Sequence, residues 1–129
     1  MNLVYGNNGA NVLDGKGGAD MLTGFAGADT FAFTTALGGG NIDEIVDFSV
    51  ADDTIRLDND VFTGLAAGAL GSGAFNTGAT ASQADDRIIY NSATGALLFD
   101  ADGAGGAAGV QFATLATGLA LTSLDFLVV

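Results

Sequence analysis

The sequence predicts an all-β fold in which a short coil of parallel strands is followed by a region of antiparallel strands. The first observation behind this prediction is a nine-residue repeat over residues 6–32, in which a glycine-rich six-residue turn precedes a three-residue strand with one large apolar side chain. The second is that residues 33–129 contain short alternating apolar runs and few periodic segments of helix length. At 129 residues, the chain is long enough for one domain with a core of its own.

The turns of the repeat share three columns of residues. Glycine occupies the first and fourth turn positions, and Asn or Asp occupies the sixth. Because glycine readily adopts positive φ, such turns can curl tightly and direct several carbonyl oxygens toward one point. Carbonyl and carboxylate oxygens suit a hard cation, and a loose cage of roughly six to eight of them suits Ca²⁺ better than Mg²⁺. The three columns are Gly6, Gly15 and Gly24, then Gly9, Gly18 and Gly27, then Asn11, Asp20 and Asp29.

The direction of successive units decides which turns face one another. If each unit reverses the chain, every second unit stacks on the same side of the coil at a strand spacing of about 4.8 Å. Turn 6–11 is therefore expected beside turn 24–29. An ion between them would be held by the side chains of Asn11 and Asp29 together with turn carbonyls.

The remaining turn, 15–20, needs a partner further along the chain. Residues 38–45 form a degenerate fourth unit, with Asn41 in a glycine column and Asp43 as the carboxylate. About five extra residues, within 33–37, separate this unit from the third. We expect a second calcium site between these two turns.

A glycine-rich coil that binds no metal is the alternative, because Asp and Asn are also common turn residues. Three in-phase copies of a turn with oxygen donors favour calcium over this alternative. Phosphate is disfavoured, since it would need converging backbone N–H groups and a lysine.

The repeats resemble the nonapeptide repeats of the RTX family of secreted bacterial proteins. The segments DTFAF, DEIVDF and DDTIRL that follow are similar to the C-terminal domain of serralysin-type metalloproteases. This resemblance implies a parallel β-roll with Ca²⁺ between turns on both sides, held by carbonyls at alternate turn positions and by the sixth-position side chains. The implied ligands are Gly6, Asn8 and Asn11 with Phe25, Gly27 and Asp29, and Gly15, Gly17 and Asp20 with Gly39, Asn41 and Asp43.

The chain departs from the family pattern at two kinds of position. Asn11 replaces an aspartate, which should weaken the first site. The second-position glycines of the turns are replaced by Asn7, Lys16 and Phe25.

Other acidic residues are weaker candidates for metal binding. Asp53, together with its neighbour Asp52, could reach an ion beside turn 24–29, although such a pair is also typical of a solvated turn. Asp100 and Asp102 could form an isolated calcium site or an ordinary Asx turn. An EF-hand is excluded there, because the twelfth loop position is Gln111 rather than Glu.

The composition excludes several classes of function. The formal net charge is −12, with three basic residues, so no basic patch for nucleic acid can form. Without His or Cys, the chain has no zinc-protease motif, no Ser-His-Asp triad and no Cys-His pair. A carboxylate-based hydrolase is the remaining catalytic hypothesis, but nothing marks one acidic pair and no Trp offers a sugar platform. We therefore expect no enzyme. No apolar run approaches transmembrane length, and residues 1–5 lack a signal-peptide pattern.

We interpret residues 1–129 as a single domain with two parts. Residues 6–58 form the calcium-binding roll with degenerate last rungs, and residues 59–129 form a connector and an antiparallel β cap. Within the second part, 61–83 is rich in Ala, Gly, Ser and Thr, and its leucines fit either a short helical turn or an ordered loop. RIIYN and ALLFD predict a hairpin, followed by strands in VQFATL and LDFLVV.

The last five residues, 125–129, combine an acidic residue with an apolar run. This pattern resembles the uncleaved type I secretion signal of RTX proteins, and it also fits a terminal β-strand. Both can hold, because the signal would be read before the chain folds. The resemblance implies export by type I secretion machinery to the extracellular space.

These observations lead to two hypotheses about function. The first is a non-catalytic, calcium-dependent folding and export module, the C-terminal part of a larger secreted protein with an effector domain before it. The second is a calcium-stabilised adhesion or carbohydrate-binding module that meets a surface glycan through exposed aromatic residues. The candidates for that surface are Tyr5, Phe25, Phe62, Phe75 and Tyr90.

Overall fold

The fold was analysed in a computed structural model, which describes residues 3–35, 37–38, 40–78, 81, 83–101, 103 and 109–129. The described residues form short strands and two single-turn 3-10 helices, Ser72–Ala74 and Ser123–Asp125. The strands are β1 Leu3–Tyr5, β2 Val12–Leu13, β3 Met21–Thr23, β4 Thr30–Phe33, β5 Asp43–Ile45, β6 Thr54–Leu57, β7 Gly68–Ala69, β8 Phe75–Thr77, β9 Ile88–Asn91, β10 Ala96–Phe99, β11 Val110–Thr114 and β12 Phe126–Val128.

Two sheets contain these strands. The first has the order β1-β3-β5-β11-β10-β9-β8 and the second has the order β2-β4-β6-β12-β7. Strands of the repeat alternate between the sheets and pair in parallel, with Leu3 opposite Met21 and Val12 opposite Thr30. The chain therefore reverses at every repeat unit, and every second unit stacks, as the nine-residue period predicts. The predicted all-β fold with a parallel β-roll is confirmed.

The single large apolar residue of each unit points between the two sheets. Leu13, Leu22, Phe31, Ile45 and Ile55 are at most 3% exposed and form one continuous core. Burial of a side chain of this size contributes roughly 1.5–3 kcal/mol relative to its exposure. Because each repeat strand is only two to four residues long, the stack depends on this column of side chains rather than on any one strand.

The antiparallel region is fused to the roll. Strands β9 and β10 form the predicted hairpin, and β11 pairs antiparallel with β10. On its other side β11 pairs in parallel with β5, and β12 pairs in parallel with β6. The C-terminal strands thus extend both sheets of the roll. The parallel attachment of β12 was not predicted from the sequence.

Between the roll and the hairpin, the described residues form a loop with two short edge strands, β7 and β8, and the 3-10 helix Ser72–Ala74. Three of its apolar side chains are buried, with Phe62 0%, Leu65 9% and Leu70 5% exposed. Of the two alternatives for the leucines, the structure has the ordered loop. Within the part of the chain that the structure describes, no helix has the length and apolar character needed to cross a bilayer.

Tyr90, in strand β9 of the first sheet, forms hydrogen bonds with the loop that precedes the last strand. Its side chain is completely buried, its hydroxyl donates a hydrogen bond to the Ala116 carbonyl, and it accepts one from the Leu119 N–H at 3.2 Å. A buried hydroxyl needs such partners, so the loop and the β9 strand hold each other in place.

Candidate metal centre

Turns 6–11 and 24–29 lie against each other, as the repeat predicts. The backbone N–H of Asn11 donates to Asp29 Oδ1 at 2.9 Å. A Cβ added at Gly27 would lie 2.7 Å from the Gly9 carbonyl oxygen and 3.0 Å from that of Asn8. The glycine at this position therefore lets carbonyl oxygens of one turn approach the backbone of the other.

Asp29 supplies a buried carboxylate to this pair of turns. The residue is 1% exposed, and its Oδ2 atom is buried with no hydrogen-bond partner among the described residues. A Cβ added at Gly24 would collide with that same atom. A buried carboxylate oxygen without a partner is energetically costly, whereas a bound hard cation would compensate its charge. The oxygen donors present here therefore fit calcium.

Turns 15–20 and 38–43 form the second predicted pair. The Asp20 N–H donates to Asp43 Oδ1 at 2.9 Å, and the Gly18 N–H donates to the side-chain oxygen of Asn41 at 2.8 Å. Both aspartates are buried, at 2% and 5% exposed. A Cβ added at Gly15 would lie 2.8 Å from Asp20 Oδ2 and 3.2 Å from Asp43 Oδ2, so two carboxylates converge on this glycine.

The fourth turn differs from the others in length. Turn 15–20 has its left-handed residues at Lys16 (φ 60°) and Gly18 (φ 94°), two residues before the carboxylate. The fourth turn has them at Gly38 (φ 84°) and Gly40 (φ 85°), with Asp43 three residues later. By backbone conformation, Gly38 and Gly40 therefore correspond to the second and fourth turn positions. Each lies one residue before the ligand predicted for that position, Gly39 or Asn41. Gly39 itself lies outside the described residues.

A further turn, 47–53, packs against turn 24–29. Of its residues, only Asp52 and Asp53 were considered as candidates from the sequence. Asp53 Oδ1 accepts the Asp29 N–H at 2.9 Å, and its Oδ2 accepts the Ser49 N–H at 2.8 Å. Asp47 was missed by the sequence reasoning, and its two oxygens accept the N–H groups of Gly24 and Phe25 at 2.9 and 2.7 Å. The available signal was its spacing, because it follows Gly24 by 23 residues, as Asp43 follows Asp20.

Two of these carboxyl groups have perturbed acidity. Burial raises the pKa of Asp43 from 3.8 to about 6, while the Asp20 N–H opposes the shift and the negative charges of Asp20 and Asp14 add to it. Burial likewise raises the pKa of Asp53, against the hydrogen bonds from Asp29 and Ser49. In both cases the cause is a carboxylate held away from water and close to other carboxylates.

Of the two residues suggested for an isolated site, Asp100 directly follows β10. Asp100 is 5% exposed, and its Oδ1 accepts the Gly103 N–H at 3.0 Å, the arrangement expected of a turn. Asp102 lies outside the described residues. Across the described part of the chain, no group of three or more acidic side chains is placed to hold a metal ion. The paired repeat turns instead combine Asp side chains with backbone carbonyls.

The aromatic residues suggested for glycan binding separate into two groups. Phe62 and Tyr90 are completely buried, and Phe75 packs on Phe126 with ring centroids 5.4 Å apart. Phe62 and Tyr90 therefore belong to the core, so for them the sequence-based suggestion is wrong. Tyr5 and Phe25 are 61% and 49% exposed, and they stack with centroids 6.0 Å apart.

The fold and the paired turns define a class: a parallel β-roll whose facing turns carry carboxylate and carbonyl oxygens. Residues 5–33 match the family model of the RTX calcium-binding nonapeptide repeat, which is described with four copies. Residues 5–33 are thus similar to RTX calcium-binding repeats, and the recognised repeats lie within this segment. The match ends at Phe33, so the likeness of later segments to serralysin-type proteases stays a resemblance. None of the curated proteins compared with the chain matches it.

Proposed function

We propose that this chain is a non-catalytic module that folds when it binds calcium outside the cell. It would form the C-terminal part of a larger protein that is exported by type I secretion machinery. Ion binding would fasten each pair of facing turns, and Gly6, Asn8, Asn11, Phe25, Gly27 and Asp29 would hold one ion.

The observation that carries this proposal is the buried Oδ2 of Asp29, which has no hydrogen-bond partner among the described residues. A fold that binds no cation would gain by placing an apolar or hydrogen-bonded group there. The carbonyl oxygens of Asn8 and Gly9, in turn 6–11, lie close to Gly27 of the facing turn 24–29. Calcium, when bound, supplies the positive charge that this set of oxygens lacks.

The free energy of calcium binding is large enough to decide whether this chain folds. A net charge of −12 disfavours the compact state through self-repulsion. An ion present at a hundred times its Kd stabilises the folded state by about 2.7 kcal/mol per independent site. Two sites would therefore supply about 5 kcal/mol, which is comparable to the whole stability of many domains, about 5–15 kcal/mol.

Calcium-dependent folding would also serve export. Phe126 and Val128 of the C-terminal segment are each 1% exposed, and Asp125 is 7% exposed. Strand β12 lies between β6 and β7 in the second sheet. A receptor could read these residues only in the unfolded chain, so low calcium inside the cell would keep the proposed signal accessible.

Circular dichroism with and without a chelator tests the calcium-dependent fold. We expect a β-sheet spectrum and cooperative melting in millimolar calcium, and an unfolded spectrum or a much lower Tm in EDTA. Magnesium at the same concentration serves as the control cation and should not restore the fold. A β-sheet spectrum with an unchanged Tm in EDTA would contradict the proposal.

A second candidate is a carbohydrate-binding module of the same fold, favoured by the exposed stacked pair Tyr5 and Phe25. Glycan-array binding in calcium buffer tests it, with Phe25→Asn as the variant, because Asn tolerates the left-handed backbone at this residue (φ 64°). Binding that this variant abolishes would support the candidate. No binding to any glycan by the unmodified chain would remove it.

A further inference from the structure

Two of the turns are closed by a hydrogen bond from their own backbone to their last side chain. In turn 6–11, the Asn7 N–H donates to Oδ1 of Asn11, four residues later, at 2.8 Å. In turn 47–53, the Ser49 N–H donates to Oδ2 of Asp53, again four residues later, at 2.8 Å. In both turns, one oxygen of the last side chain is therefore occupied by an N–H of the same turn.

Turn 24–29 is not closed in this way. The equivalent N–H, four residues before Asp29, is that of Phe25, and it donates to Asp47 Oδ2 at 2.7 Å. The other oxygen of Asp47 accepts the Gly24 N–H at 2.9 Å. The carboxylate that binds the Phe25 N–H therefore comes from outside the turn.

Oδ2 of Asp29 lies where it would otherwise accept that N–H. A Cβ added at Gly24 would collide with this atom, and a Cβ added at Gly6 would lie 2.5 Å from Asn11 Oδ1. The two side-chain oxygens thus occupy the same position relative to the first glycine of their turns. In turn 6–11 this oxygen accepts the Asn7 N–H. In turn 24–29 it is buried and has no hydrogen-bond partner within the ranges that the structure describes.

The backbone of these two turns differs at the residue that supplies the N–H. Phe25 has a φ of 64°, which is unusual for a bulky side chain, whereas Asn7 does not have a positive φ. A positive φ costs free energy at a residue other than glycine and persists where the surroundings hold it. Successive backbone N–H groups can converge on one anion. The two bonds from Gly24 and Phe25 to the Asp47 carboxylate supply this support.

Turn 15–20 has the same arrangement with a different carboxylate. The Lys16 N–H, four residues before Asp20, donates to Asp14 Oδ1 at 2.9 Å. Lys16 also has a positive φ, of 60°. Oδ2 of Asp14 accepts a hydrogen bond from the Thr34 hydroxyl at 2.6 Å, which fixes the orientation of the carboxylate. In both turns, a left-handed second residue thus donates its N–H to a carboxylate other than the one that ends the turn.

From these contacts we propose that Asp47 is a positioning residue for the calcium ligand Asp29. By binding the Phe25 N–H, Asp47 keeps this donor away from Asp29 Oδ2 and leaves that oxygen available to the cation. A carboxylate oxygen that accepts an N–H has fewer lone pairs left for a metal ion. Both oxygens of Asp47 already accept N–H groups, so it acts through Asp29 rather than on the ion. This inference rests on the proposed function, because it assumes that the facing turns bind calcium.

A double-mutant cycle on calcium affinity tests this role, with Asp47→Ala and Asp29→Asn as the two changes. In Asp47→Ala the Phe25 N–H can close the turn on Asp29 Oδ2, so titration calorimetry should show that one site binds calcium at least about tenfold more weakly. In the Asp29→Asn background, the same change should weaken binding by less than about threefold, because the oxygen that Asp47 protects is already absent.

Asp58→Ala is the matched control for the cycle. Asp58 is also a half-buried aspartate, and its Oδ1 accepts a turn N–H, that of Asp60, at 2.9 Å. The control therefore removes the same charge and the same kind of hydrogen bond outside the paired turns. Its calcium affinity should equal that of the wild-type chain.

Each variant is first shown to fold by its circular dichroism spectrum in calcium. If Asp47→Ala does not fold, Asp47→Asn replaces it in the cycle, because it keeps one acceptor oxygen and should show a smaller loss with the same non-additivity. Equal losses in the two backgrounds would overturn the positioning role, since Asp47 would then act independently of Asp29. An unchanged affinity in Asp47→Ala, or an equal loss in Asp58→Ala, would overturn it as well. A wild-type chain that binds no calcium would overturn the proposed function together with this inference, so the two failures are distinguishable.

Discussion

Replacing Asp29 with asparagine separates the charge of this buried residue from its hydrogen bond. The amide oxygen can still accept the Asn11 N–H, which lies 2.9 Å from Asp29 Oδ1, so the contact between the two turns is retained. What is lost is the negative charge and the second oxygen, Oδ2, that has no hydrogen-bond partner among the described residues. The variant should therefore affect the calcium-loaded chain more than the calcium-free one.

The expected magnitude follows from ligand linkage. A site at a hundred times its Kd contributes about 2.7 kcal/mol, and a tenfold weaker site at the same calcium concentration contributes about 1.4 kcal/mol. A tenfold loss of affinity thus lowers the free energy of unfolding by about 1.3 kcal/mol. For a domain of this size, at about 4 °C per kcal/mol, the Tm in calcium should decrease by about 5 °C. In EDTA the variant should melt at or above the wild-type Tm, because an uncompensated buried charge is removed.

Thermal unfolding followed by circular dichroism, in calcium and in EDTA, measures both effects. Asp60→Asn is the matched control, because it makes the same change of charge at an exposed carboxylate. The control should keep the wild-type difference in Tm between the two buffers. If Asp29→Asn also keeps the full difference, the carboxylate does not bind calcium and the reasoning fails.

Three further predictions follow from the geometry. Gly24→Ala should lower the free energy of unfolding by about 1–3 kcal/mol, because the added Cβ would collide with Asp29 Oδ2. Gly17→Ala is the control, because a Cβ there meets open space and should cost less than about 1 kcal/mol. Chemical denaturation in calcium compares the two variants. Tyr90→Phe should cost about 0.5–1.5 kcal/mol in the same assay, because the Ala116 carbonyl and the Leu119 N–H lose their hydroxyl partner, and an unchanged free energy of unfolding would contradict this role for the hydroxyl. Because the pKa of Asp43 in the folded chain is about 6 against 3.8 ordinarily, the calcium-free fold takes up a proton that the unfolded chain does not. Its stability should therefore increase as the pH falls from neutral to about 5, and Asp43→Asn should reduce this dependence when Tm is measured against pH in EDTA.

The repeat segment could be predicted from the sequence because its information is local and periodic. Each unit carries its own turn glycines and its own core residue, such as Leu22 or Phe31, so the period alone fixes which turns stack. The displaced partner of turn 15–20 was also foreseen from the carboxylate Asp43. Its extra residue was not, because three consecutive glycines leave open which positions adopt positive φ.

The rest of the fold depends on contacts that have no local signature. β11 and β12 attach to the roll by parallel pairing with β5 and β6, which precede them by dozens of residues, and nothing in their composition specifies that partner. The edge strand β7 consists of Gly68 and Ala69, which lack any strand pattern. Asp47 was overlooked because it lies outside the sixth-position column that defined the candidate ligands.

The central claim is that facing turns of the roll bind calcium. Isothermal titration calorimetry of calcium into the purified, calcium-free chain tests it most directly. We expect saturable binding of at least two ions per chain, a lower affinity at one site in Asp29→Asn, and little heat with magnesium. The absence of saturable calcium binding to the folded or unfolded chain would contradict it.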